Sequence, residues 1–197
     1  MKNIFLAARY TSYVAMGITL LGAILSVIEI FGVTSSTIGT LWRIATLLLY
    51  FVSILFWGNF CWQCDKKAPI LPPAAILCAA FICHLINGII AYGLMMGMMG
   101  MIGMIGMIGM IAPMCTIVGI SLLGRFVPNK TPIKYVVIAI PIFIILQWLI
   151  ATITPFLEVV SYKVLSNVIS FISLTENALW AIFYYLFYKL GNQQTVK

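Results

Sequence analysis

Leu165–Tyr188 reads LSNVISFISLTENALWAIFYYLFY. The run is long enough to cross a bilayer as one helix, since about 20 apolar residues span about 30 Å of hydrocarbon. Glu176 falls near its middle, within Thr175-Glu176-Asn177. An ionisable side chain at that depth costs about 2.5–3.5 kcal/mol on insertion scales, so it is kept where protein, water or a ligand receives it. The remainder of the chain is read as the bundle that receives Glu176.

The rest of the composition agrees. Of 197 residues, 63% are hydrophobic and 8% charged, against roughly 25% charged in a soluble domain. Such a chain lacks the polar surface to stay dissolved, and the lipid bilayer is its expected surroundings. The fold class expected is all-α: a polytopic transmembrane bundle forming a single membrane domain over residues 1–197. Its helices are expected at about 10–31, 38–62, 74–94, 103–124, 134–154 and 165–188. The first apolar stretch outruns a signal-peptide core and reads as an uncleaved helix.

Charge sets the expected orientation. The net charge of +7 comes from 11 Lys and Arg against 4 Asp and Glu. With six crossings, Lys2, Arg9, Lys66, Lys67, Arg125, Lys130, Lys134, Lys189 and Lys197 fall on one side, while Arg43 and Lys163 fall on the other. Basic loops stay cytoplasmic. A multi-pass protein of the cell membrane with both termini cytoplasmic is therefore expected, and its charge calls for no nucleic acid partner.

Polar groups near the centres of three predicted helices make up the candidate site. They are His84 and Asn87, Gln147 beside Trp148, and Glu176 with Asn177. At matching depth they can meet across a bundle. One reading is a solute or proton site near the bilayer midplane, where many transporters place theirs: Glu176 the ionisable acceptor, His84 its proton partner, Asn87, Gln147 and Asn177 orienting groups. Trp148 and Trp180 would then wall the apolar part. The other reading is interhelical hydrogen bonding that only holds the bundle together. Glu29 and Arg43, near the outer ends of helices joined by a short turn, are expected to pair as ions. Trp42, Tyr184, Tyr185 and Tyr188, near helix ends, are expected as interface anchors.

Two further features stand out. Between Gly97 and Met110, Met-Ile-Gly units recur with period three, so on a helix their glycines spiral rather than line one face. Thioethers such as Met101, Met104 and Met107 suit Cu(I), but a flexible apolar repeat needs no metal. Cys61-Trp62-Gln63-Cys64 is a C-x-x-C, which with Cys78 makes a weak metal candidate. Otherwise the five cysteines read as free thiols in a reducing compartment, and neither metal nor cofactor is expected.

No P-loop, G-x-S-x-G, H-E-x-x-H or nucleotide fingerprint occurs, so no enzyme is expected. The six-helix cysteine-peptidase family that processes signalling peptides places a Cys after a His. Here Cys78 and Cys83 precede His84 and the next cysteine is Cys115, a different order. In length, six helices and inside termini, the chain is similar to the membrane substrate-binding subunits of energy-coupling-factor vitamin transporters. The resemblance implies a small-molecule ligand and separate ATPase partner subunits. The contrasting expectation is a non-catalytic membrane scaffold or regulatory subunit of a larger complex.

Overall fold

The computed structural model describes residues 2–30, 36–94, 102–129, 131–153 and 162–194. Among them are six α-helices and no strands: α1 (Lys2–Ile30), α2 (Ser36–Gln63), α3 (Leu71–Leu94), α4 (Ile102–Leu123), α5 (Pro132–Ile153) and α6 (Tyr162–Gln194). Arg43–Gln63, Leu71–Ile90 and Pro132–Ile150 are each long and apolar enough to cross a membrane.

The helices begin or end beyond the apolar runs, because backbone hydrogen bonding continues past the last lipid-compatible residue. α1 starts at Lys2 and takes in Arg9, and α6 runs on from Tyr188 to Gln194. At 33 residues and about 1.5 Å per residue, α6 is about 50 Å long. Pro72 and Pro73 sit in the first turn of α3, and Pro132 opens α5; there the missing N–H has no intrahelical partner to lose. The Met-Ile-Gly repeat is α-helical from Ile102 onward, while residues 95–101 lie outside the described ones.

Each helix packs against its neighbours in the chain, and α1 packs against α6, so the six close into a ring. The most extensive seams are α1–α6 and α3–α4. Both depend on a residue without a side chain. A Cβ on Gly119 of α4 would fall 2.8 Å from Leu77 Cγ of α3, and one on Gly191 of α6 would run into the Phe5 ring of α1. Small residues let helix backbones approach this closely inside a membrane. Short connections finish the basic end. Asp65 Oδ1 accepts the Lys67 N–H at 3.1 Å between α2 and α3. Lys134 Nζ donates to the Gly124 carbonyl at 2.6 Å, placing a cation at the C-terminus of α4.

The ring is filled at that end by aromatic side chains. Phe56, Trp57 and Phe60 of α2 meet Phe183, Tyr184 and Phe187 of α6, with Phe5 of α1 beside them. Phe56 and Tyr184 meet edge to face at 5.0 Å, as do Phe81 of α3 and Trp180 of α6 at 5.1 Å. Edge-to-face contact satisfies the ring quadrupoles. Tyr184 was expected at the interface; instead it is 0% exposed. The reason is that α6 continues to Gln194, which leaves Tyr184 well inside the helix and turned toward α2. Tyr185 is exposed as expected, Arg9 stacks over Tyr188 at 5.7 Å, and the Trp42 side chain lies outside the described residues.

Outward, the pattern is inverted relative to a soluble protein. Leu20, Leu48, Leu55, Ile89, Ile142 and Phe171 are exposed on the outer faces. A continuous apolar surface of this kind needs an apolar surrounding. The chain is a membrane-associated helical protein.

Candidate functional site

On the other side of the aromatic plug the helices line a partly open pocket of about 430 Å³. Small-molecule sites typically measure about 300–1,000 Å³. Five helices supply its walls: α2 through Tyr50 and Ser53, α3 through Phe81 and His84, α4 through Pro113 and Thr116, α5 through Gln147 and Trp148, α6 through Ser173, Glu176, Asn177 and Trp180. The lining residues fall near the middles of α2, α3, α4 and α6 and just past the middle of α5, so they share a level across the ring.

Of the polar residues singled out in the sequence, Glu176, His84, Gln147 and Asn177 line this one cavity, as do Trp148 and Trp180. Trp180, one turn on from Glu176, lies beside its carboxylate. Asn87 is not part of the lining. Its buried Oδ1 has no hydrogen-bond partner.

Two side-chain pairs tie the walls together. His84 Nε2 lies 3.2 Å from Thr116 Oγ1, joining α3 to α4. The Thr116 hydroxyl is also 2.9 Å from the Ala112 carbonyl; with its proton there, Nε2–H is the donor at this oxygen, and the other tautomer reverses the roles. The imidazole is stacked on Tyr50, with centroids 5.1 Å apart and planes 23° apart. Gln147 Nε2 donates to Ser173 Oγ at 2.9 Å, joining α5 to α6.

Tyr50, Ser53, Thr116 and Ser173 were not anticipated as lining residues. Ser173 had a sequence signal, since it precedes Glu176 by three residues on nearly the same helix face. The hydroxyl residues of α2 and α4 had none, because a Ser or Thr in an apolar helix usually satisfies itself on the carbonyl one turn back.

The other candidates do not join the cavity. Cys61, Cys64 and Cys78 are free thiols packed against the aromatic core, and Cys78 Sγ lies 3.9 Å from the Ile54 carbonyl. Among the described residues no group of three or more His, Cys, Asp or Glu is placed to hold a metal ion. Arg43 is exposed, while the Glu29 side chain and residues 31–35 lie outside the described residues, and with them the expected ion pair. No protein-family model, curated protein or solved structure matches the chain.

Proposed function

We propose that this chain is a six-span protein of the cell membrane, one membrane domain with both termini cytoplasmic. Its task is to bind a small solute in the cavity around Glu176 as part of a transport system. A single observation carries the reading: five helices line one pocket of about 430 Å³ with a carboxylate, an imidazole, two amides and two indoles. Hydrogen bonds meant only to hold helices together close up the space between them. Here the polar groups border a volume that a solute or water must fill.

The orientation follows from charge and packing together. The aromatic plug lies at the end bearing Lys66, Lys67, Arg125 and Lys134, and the pocket lies beyond it near the helix middles. If the basic end faces the cytoplasm, the plug stands between the pocket and the cytoplasm. Cys64, next to Asp65 and half-buried, reports this directly. In a chain whose other four cysteines are replaced by Ser, a membrane-impermeant maleimide is expected to label Cys64 in inside-out vesicles and not in intact cells. Labelling in intact cells alone would reverse the topology.

The test of function is purification from the native membrane in mild detergent, followed by mass spectrometry of every retained protein and small molecule. A released solute, lost in a Ser173→Trp variant that fills the cavity, supports the proposal, and co-purifying ATPases would identify the source of energy. A stable larger complex with no solute, unchanged by Ser173→Trp, would replace it with the scaffold role.

A further inference from the structure

We infer that the cavity around Glu176 selects a small organic cation, an ammonium group on a compact apolar body. The inference rests on the solute-binding reading above and adds the chemical class of the solute.

Charge is the first argument. Among the described residues Glu176 is the one carboxylate in the lining, and neither Lys nor Arg contributes to it. An anionic solute would meet a like charge with no base to offset it, in surroundings where water screens little.

Hydrogen-bonding capacity is the second. Several donors of the lining are committed to protein: the Thr116 hydroxyl faces the Ala112 carbonyl, His84 Nε2 pairs with Thr116, and a Gln147 amide N–H goes to Ser173. The strongest acceptor that borders the space is the Glu176 carboxylate, and a charged donor matches it best. An ammonium group brings up to three N–H donors, together with the charge that Glu176 lacks.

The walls are the third. Tyr50, Phe81, Trp148 and Trp180 all line the space. Aromatic faces attract an organic cation through their quadrupoles and also accept its apolar part. A neutral alcohol of the same shape would keep the wall contacts and lose the carboxylate.

The ammonium group has two sources, a free amine or the headgroup of phosphatidylethanolamine, and one experiment separates them. Wild-type protein and Glu176→Gln in maltoside micelles are titrated with phenethylammonium, 2-phenylethanol and 3-phenylpropionate, with tryptophan fluorescence and thermal stabilisation as readouts. The titrations are repeated with phosphatidylethanolamine in the micelles. The expected result is binding of phenethylammonium at least about tenfold tighter than either of the other two, with that preference erased in Glu176→Gln. Competition by phosphatidylethanolamine assigns the site to the lipid headgroup; unchanged affinity assigns it to a free amine. Equal or tighter binding of the alcohol or the carboxylate would overturn the cation assignment and leave solute binding standing. If no probe binds folded wild-type protein, the cation assignment falls. Solute binding falls with it only if native purification also releases no small molecule.

Discussion

Replacing Glu176 by Gln is expected to weaken solute binding by roughly 10- to 100-fold, while the protein folds as well as before or slightly better. The two halves of this result have different causes. A hydrogen bond to a charged group contributes about 1.5–3 kcal/mol, and each 1.4 kcal/mol is about a tenfold change in affinity. Without solute, the same carboxylate is a burden on the fold, because a charge held among Tyr50, Phe81 and Trp180 has lost its water. Glutamine keeps the shape and removes the charge, so the temperature of unfolding in detergent is expected to stay level or rise. Equilibrium binding and thermal unfolding measured on the same preparation check both halves. Unchanged affinity in Glu176→Gln would remove Glu176 from the site. A large fall in stability with unchanged binding would mean that the carboxylate serves the packing.

Truncating Trp57 to Ala is expected to produce the largest loss of stability of any single change, about 3–5 kcal/mol by analogy with other buried aromatic truncations. The indole is 0% exposed. Its ring has Phe56 at 5.0 Å, Phe60 at 5.8 Å, Phe183 at 6.2 Å and Phe187 at 6.3 Å. These neighbours come from both α2 and α6, so none can collapse into the void without pulling on the other helix. Trp57→Phe is expected to cost much less, because the Trp57 Nε1–H makes no hydrogen bond that the substitution would break. Tyr184→Phe belongs with it: the Tyr184 hydroxyl sits near Ser53 and Trp57 without a well-formed bond to either. Unfolding by graded addition of sodium dodecyl sulfate to maltoside micelles gives the ranking. A Trp57→Ala cost below about 1 kcal/mol would show that the aromatic plug collapses freely, contrary to the usual behaviour of close-packed interiors.

The two substitutions also mark how far residue-level reading reached. Glu176, His84, Gln147 and Asn177 could be grouped in advance because a polar residue in hydrocarbon must find company, and residues near the centres of their helices find it with one another. Depth along a helix can be read from sequence; direction around it is much harder to read when every face is apolar. Asn87 has the right depth and lies outside the cavity for that reason. Tyr184 misled in the opposite way. Tyrosines near the end of an apolar run normally sit at the headgroups, but α6 does not stop where its apolar run stops. The closing contact between α1 and α6, made across Gly191 and Phe5, had no local signature, since the partners lie at opposite ends of the chain. Ser53 and Thr116 became visible only once that ring had set which faces look inward.

The aromatic plug closes the pocket toward the basic end of the ring. To leave at the basic end an occupant would have to part the rings of Phe56, Trp57, Phe183, Tyr184 and Phe187. Each such pair is worth about 0.5–1.5 kcal/mol beyond its buried area, and the rings are held by two helices at once. Thermal fluctuation alone makes that passage rare. On the proposed solute-binding reading the molecule would act as a cup and not as a pipe, keeping its contents until something outside the ring tilts or spreads the helices, and whatever exerts that force would set the pace of transport.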